Sequence, residues 1–129
     1  MATNIAPPSP LAGALRGLAV GRIALGAAAI ALPRTLTVAF GIHPTPELTY
    51  MTRIFGARAI ALGVGYLTAP AEERPRWQRV GLMVDIIDTA HGAAHVVRGD
   101  LPRPTALAMV TLTGSYMTVG ATRLARDLR

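Results

Sequence analysis

The chain has 129 residues, enough for one domain. Its formal net charge is +6, and it contains arginine but no lysine. Cysteine is absent, which excludes a disulfide framework, a thiolate site and a cysteine-based metal site. Hydrophobic residues make up 51% of the sequence and the mean hydropathy is +0.40, which is high for a soluble domain of this size.

The arginines are spread along the chain, several of them inside apolar segments, and form no contiguous basic run. This distribution argues against nucleic acid as a partner. The N-terminal stretch MATNIAPPSP has no basic residue before the first apolar segment, which argues against a cleaved secretory signal. Pro7, Pro8 and Pro10 predict that residues 1–10 form a short, extended, disordered tail.

The first apolar segment covers residues 11–32 and is long enough to cross about 30 Å of hydrocarbon. Gly13, Gly17 and Gly21 recur at a spacing of four residues, a pattern that lets another helix approach closely. The simpler explanation is that glycine is frequent throughout this chain. Arg22 lies near the middle of the segment.

Three further segments follow. Residues 33–48 are apolar in their centre but too short to cross, so we expect them to lie in the interface or to fold back over the bundle mouth. The second segment covers about 49–69, and a polar loop at 70–76 leads to the third, at about 77–97. The fourth, at about 105–122, carries no charge and is predicted to be the clearest spanning helix.

These segments predict an all-α fold, a bundle of four transmembrane helices in the plasma membrane with a basic tail at 126–129. Four spans put both termini on one side. That side carries six arginines (Arg74, Arg76, Arg79, Arg123, Arg126 and Arg129) against three on the other (Arg34, Arg98 and Arg103). By the positive-inside rule, both termini are predicted to be cytoplasmic. The rival class, a soluble four-helix bundle, needs a polar face on each helix, which the fourth segment lacks.

The third segment contains the stretch VDIIDTAHGAAH, in which Asp85, Asp88, His91 and His95 interrupt an apolar run. On a helix these four side chains fall within roughly 120° of one face. Ionisable groups inside hydrocarbon cost about 2.5–3.5 kcal/mol each on insertion scales, so they normally pair or face a cavity.

Counted along the predicted spans, Arg22 and Arg58 lie at about the same depth in the membrane as Asp85 and Asp88. We therefore expect these four residues to form a buried network. The planar fork of arginine suits a carboxylate through two hydrogen bonds. Arg53 lies at the depth of the two histidines and is their expected partner, with the threonines of the fourth segment as the alternative. The network is either structural, fixing helix register, or functional, lining a polar pocket or a proton path.

Asp88, His91 and His95 also form the pattern D-x-x-H-x-x-x-H, which puts three possible metal ligands on one face. No fourth ligand is evident, so neither a metal nor another cofactor is predicted. There is no phosphate-cradling glycine loop and no serine elbow. Asp85 and Asp88 could act as acid and base, but their arginine partners favour keeping both ionised, and no catalytic residue is predicted.

The stretches RIALGAAAIALP (Arg22–Pro33), RIFGARAIALGVG (Arg53–Gly65) and GLMVDIIDTAH (Gly81–His91) resemble an uncharacterised family of small four-helix integral membrane proteins. That family is common in actinobacteria and described only as a domain of unknown function. The resemblance covers roughly residues 12–122, and its most specific parts are R-x-x-G-x-R in the second stretch and D-x-x-D in the third. An acidic residue often follows the second arginine in that family, where this chain has Ala59, which leaves the third helix as the main source of negative charge. The resemblance implies a four-span fold in the plasma membrane and no known activity.

Two functions fit these features. The first is a non-enzymatic module, held by the buried network, that joins a larger membrane protein or forms a homo-oligomer through the glycine face of the first segment. The alternative is a small transporter or sensor with an intramembrane polar pocket lined by Arg22, Arg53, Arg58, Asp85, Asp88 and His91. Membrane lipid is the partner in both cases. An intramembrane enzyme would need a pocket open to a substrate.

Overall fold

The computed structural model describes residues 9–129, which form helices joined by short turns and loops, with no strand. Its elements in chain order are α1 (Pro10–Ala31), α2 (Pro33–Ala39), α3 (Pro46–Thr68), α4 (Arg74–Arg98) and α5 (Arg103–Asp127). The predicted all-α fold is therefore confirmed for this part of the chain. The tail predicted over residues 1–10 lies outside the described residues, apart from its last two positions, where the prediction is wrong because Ser9 caps α1 and Pro10 begins it.

Local sequence chemistry sets where these helices begin and end. Each has a proline in its first turn, where the missing N–H leaves no intrahelical hydrogen bond unmade. The side-chain oxygens of Ser9 and Thr45 cap α1 and α3, each accepting from a backbone N–H at 3.1 Å. Helix α4 ends at Gly99, whose φ of 65° lies in the left-handed region that glycine adopts without strain.

Helices α1 and α3 form a tightly packed pair through Gly26 of α1 and Gly56 and Gly63 of α3, which we call the glycine seam. A Cβ added to Gly26 would lie 2.5 Å from the carbonyl oxygen of Gly56, and one added to Gly63 would lie 2.5 Å from that of Ala19. No side chain fits at these positions. Close backbone approach of this kind stabilises helix pairs where water is absent, because dispersion contacts replace the hydrophobic effect.

The glycines at spacing four do not mediate this contact. A Cβ added to Gly13 or Gly17 would meet nothing within 4 Å, and one added to Gly21 would meet only the hydroxyl of Tyr116, at 3.0 Å. Their expected role in close packing is therefore wrong within the chain. The reason is rotational: Gly17 lies two residues from buried Ala19, on the opposite side of α1. Association of two copies through the Gly13–Gly17–Gly21 face stays a prediction.

Helices α4 and α5 form the second pair. Gly92 receives the side chain of Val110, and the hydroxyls of Thr89 and Thr113 lie 3.0 Å apart across the contact. The two pairs touch each other at far fewer points. Helices α3 and α4 are in contact beside their short connection, where the ring of Trp77 covers Gly65 of α3.

Small side chains dominate the buried positions, and no large side chain is fully buried among residues 9–129. Large apolar side chains point outward instead, among them Val20, Ile30, Val38, Met51, Ile54, Val64, Met83, Ile86, Ile87 and Leu107. This is the reverse of a water-soluble bundle, in which each helix turns its apolar stripe to the core.

Of the described helices, α1 and α4 are long and apolar enough to cross a membrane. Helices α3 and α5 fall short of that criterion, so the expectation that the fourth segment is the clearest span is wrong. Its hydroxyl residues lower the hydropathy, although Ser115 and Thr118 satisfy their hydroxyls on carbonyl oxygens of their own helix at 2.6 and 2.8 Å. Half of the basic tail predicted at 126–129 is helical, since α5 runs to Asp127.

Two glycine substitutions on α1 test the glycine seam. We expect Gly26→Ala to lower the free energy of unfolding by about 1–3 kcal/mol, because the added methyl group forces α1 away from α3. The matched variant Gly17→Ala is expected to be neutral or to raise it by up to about 1 kcal/mol through helix propensity. Unfolding followed by circular dichroism in mixed micelles measures both. Equal effects of the two variants would contradict the assigned packing.

Candidate functional site

Arg22 of α1 and Asp85 of α4 form a closed ion pair in the middle of the bundle. The guanidinium Nη2 donates to the carboxylate Oδ2 at 2.5 Å, and the two side chains are only 8% and 4% exposed. The ring of Tyr116 on α5 stacks on the guanidinium, with Cζ 4.8 Å from the ring centroid. The free space beside the pair is about 30 Å³, enough for water but not for a ligand.

Arg58 of α3 and Asp88 of α4 form a second ion pair, one turn further along α4. Its Nη2–Oδ2 distance is 2.7 Å, and the side chains are 44% and 25% exposed. Phe55, one turn earlier on α3, supports the guanidinium with its ring centroid 5.6 Å from Cζ. This pair has the chemistry of the first but stands in an open environment.

The histidines do not contact Arg53, so that expected pairing is wrong. His91 Nδ1 lies 2.9 Å from the carbonyl oxygen of Ile87, which can only accept, so Nδ1 carries the proton and Nε2 is free. Arg53 instead donates from Nε to the carbonyl oxygen of Ile30 at 3.4 Å. That carbonyl belongs to the last turn of α1, where helix geometry leaves carbonyl oxygens without intrahelical partners.

His95 lies one turn beyond His91 and faces the loop after α4. Its Nδ1 is 2.7 Å from Oδ1 of Asp100, and this hydrogen bond lowers the pKa of the Asp100 carboxyl below its usual value. Asp88 is held by Arg58, so the three possible ligands of the D-x-x-H-x-x-x-H pattern have separate partners. Among residues 9–129, no group of three such side chains is placed to hold a metal ion.

A cavity of about 470 Å³ adjoins the Arg58–Asp88 pair at the end of the bundle away from the termini. Its wall is almost entirely apolar and draws on every described helix, with Leu25, Leu36, Phe40, Leu48, Met51, Phe55, Met109 and Leu112 as the main contributors. The polar groups of the wall are few. One side of the cavity wall is lined by Arg58, Asp88, His91 and His95.

Helix α2 and the turn after it close one end of this cavity. The hydroxyl of Thr105 on α5 donates to the carbonyl oxygen of Phe40 at 2.7 Å, which ties the turn to the opposite helix pair. Gly41 follows with a φ of 76°, a conformation that favours glycine. Of the two expectations for residues 33–48, the structure therefore shows the segment folded back over the bundle mouth.

The cavity reaches the surface between α3 and α4. Met51 of α3 lines it and is 57% exposed, and Arg58 and His91, one on each helix, are exposed as well. Helices α3 and α4 meet near Trp77 and again at the Arg58–Asp88 pair, and beyond that point the cavity lies between them. The opening therefore faces sideways, out of the bundle.

The structure thus brings Arg22, Arg58, Asp85 and Asp88 together as two pairs, sets His91 and His95 in the cavity wall and leaves Arg53 outside. Sequence reasoning missed Tyr116 and Phe55. The spacing of Phe55 and Arg58, one turn apart on a helix, could have indicated their contact. Nothing in the sequence marks the cavity, because it depends on where two helix pairs diverge.

Comparisons with models of known protein families, with curated proteins and with solved structures found no match to this chain. The site is therefore interpreted from its own geometry.

Neutralising each aspartate separately tests the difference between the two pairs. We expect Asp85→Asn to cost about 3–5 kcal/mol of folding stability, because Arg22 is left charged and closed off. Asp88→Asn is expected to cost clearly less, since Arg58 reaches the cavity and its opening. The double variant Arg22→Met, Asp85→Leu should recover much of the loss. The yield of folded protein in detergent ranks the variants, and a double variant no better than Asp85→Asn would show that the charges do not act as a pair.

Proposed function

We propose that this protein is a multi-pass plasma-membrane protein that binds a small, largely apolar molecule in the cavity beside Arg58 and Asp88. The observation that carries the proposal is the cavity itself. Its volume of about 470 Å³ falls within the range of small-molecule sites, as does a wall that is mostly apolar with a few convergent polar groups. Of the two functions that fit the sequence, this proposal corresponds to the transporter or sensor and not to the packing module.

Placement in a membrane is supported by where the apolar surface lies. Only 28% of the apolar window of α1 and 17% of that of α4 is buried, whereas the core helix of a soluble protein is mostly buried. Helix α3 runs antiparallel along α1 and α5 along α4, with 23 and 25 residues. A membrane crossed by α1 and α4 is therefore crossed by their partners too. The two arginines that lower the hydropathy of α3 both have hydrogen-bond partners.

The arginine distribution supports cytoplasmic termini, with six arginines on that side against three. The cavity lies at the other end of the bundle and would then open into the outer leaflet. A lateral opening lets an apolar ligand enter from lipid without crossing water. Such a ligand is already concentrated in the bilayer.

Binding or sensing is favoured over transport because the ion pair between Arg22 and Asp85 closes the route across the bundle. Arg22, Asp85 and Tyr116 occupy the centre between the cavity and the opposite end. The remaining space there, about 30 Å³, does not pass a ligand. Asp88 and Phe55 hold Arg58 in place at the cavity, so its unused N–H groups can meet the polar end of a ligand.

The packing module is the second candidate, and the open surface around Gly13 and Gly17 favours it. Lipid-facing glycines at this spacing suit contact with another helix. Cross-linking of the parent protein and of Gly17→Leu in lipid tests this candidate. An oligomer that persists in the variant would exclude association through this face.

Single cysteines test the four-span arrangement, since the chain has none of its own. We expect His43→Cys, in the exposed loop before α3, to react with a membrane-impermeant maleimide in intact cells. Glu72→Cys, in the exposed loop before α4, should react only after permeabilisation. Reaction of both in intact cells would contradict the topology, and the reverse pattern would place the termini outside.

Photolabelling from lipid tests the cavity. A neutral alkyl diazirine ester in nanodiscs should label the α5 peptide that contains Met109, which lies across the cavity from its opening. Thr52→Trp places an indole in the cavity and should reduce this labelling about tenfold or more, as expected for a blocked site. Ile54→Trp is the matched control, since Ile54 lies on the outer surface of the same helix turn. Equal loss in both variants would show that the label reaches α5 by another route.

A further inference from the structure

We infer that the cavity selects electrically neutral ligands that carry a hydrogen-bond acceptor, such as a carbonyl oxygen, on an otherwise apolar body. The inference rests on the proposed function and concerns the chemistry of the ligand. It follows from two properties of the wall, its charge balance and its spare hydrogen-bonding groups.

The charges around the cavity cancel one another. Arg58 is matched by Asp88, and the deeper Arg22 is matched by Asp85. An anionic ligand at Arg58 would add a negative charge beside the Asp88 carboxylate without a new cation to match it. A cationic ligand at Asp88 would do the same with the opposite sign. Unmatched charge is strongly disfavoured away from water, so a neutral ligand is the one that the wall accommodates.

The wall has hydrogen-bond donors to spare at Arg58. A guanidinium has five N–H groups, and the structure gives one hydrogen bond to Asp88, leaving others on a side chain that is 44% exposed. Several other polar groups of the wall have partners, whereas Nε2 of His91 is a free acceptor and adds no donor. His95 bonds to Asp100, and the hydroxyl of Thr113 donates to the carbonyl oxygen of Met109 at 3.1 Å.

A ligand that completes this site therefore brings an acceptor to Arg58 and an apolar body to the remaining wall. Phe40, Met51, Met109 and Leu112 offer only apolar surface. A hydrocarbon without an acceptor fills the same volume but leaves the guanidinium donors unmatched. Removing Asp88 would make the wall positive and should reverse the preference toward an anion.

Methionine methyl groups provide the readout. Met51 and Met109 line the cavity, whereas Met83 and Met117 do not and serve as internal controls. The protein, labelled with ¹³C at the methionine methyl groups, is placed in phosphatidylcholine nanodiscs and titrated with methyl dodecanoate, dodecanoate, dodecylamine and dodecane. Each Kd is expressed as a mole fraction in lipid, after the partitioning of each probe has been measured.

We expect methyl dodecanoate to shift Met51 and Met109 but neither control, and to bind about tenfold or more tightly than the other three probes. In Asp88→Asn, dodecanoate should become the tightest ligand. The neutral double variant Arg58→Gln, Asp88→Asn should bind methyl dodecanoate and dodecane alike. Two results in the parent protein would overturn the inference: dodecanoate or dodecylamine binding more tightly than methyl dodecanoate, or dodecane binding as tightly as methyl dodecanoate. In either case the cavity would still be a binding site. If none of the probes shifted Met51 or Met109, the proposed function would fail with it.

Discussion

The ion pair between Arg22 and Asp85 is the constraint on which the rest of this bundle depends. It joins α1 to α4, and through them the two tightly packed helix pairs, which otherwise share few contacts. Separating the two halves would leave both charges without partners in a poorly solvated interior, so the pair sets their register. Once Asp85 is placed, Asp88 follows one turn later on the same face and meets Arg58.

The two ion pairs have the same chemistry but stand in different environments. Around Arg22 and Asp85 the bundle is closed, with Tyr116 against the guanidinium and space for water alone. Around Arg58 and Asp88 it opens into a cavity large enough for a small molecule. The same chemistry fixes helix register at one level and supplies directed hydrogen-bond donors at the next.

The cavity exists because the helix pairs cannot close over it. The glycine seam holds α3 against α1 at backbone distance, so α3 cannot shift toward α4 without losing that contact. At the same end, the hydrogen bond from Thr105 to Phe40 fixes the turn after α2 across the mouth. The apolar wall and the sideways opening then follow from residues that face a gap between two rigid pairs.

The sequence by itself predicted four of the five described helices, since its apolar segments correspond to α1, α3, α4 and α5, but it did not reveal α2 or the caps Ser9 and Thr45. It also placed two arginines and two aspartates at similar depth, because rise per residue converts position into height. Only the tertiary structure decided that Arg53 donates to a carbonyl oxygen of α1. It also decided that α1 packs against α3 through the glycine seam and not through the Gly13–Gly17–Gly21 face. Periodicity specifies a face and a depth on one helix, whereas partners and cavities depend on how each helix is rotated and tilted against its neighbours.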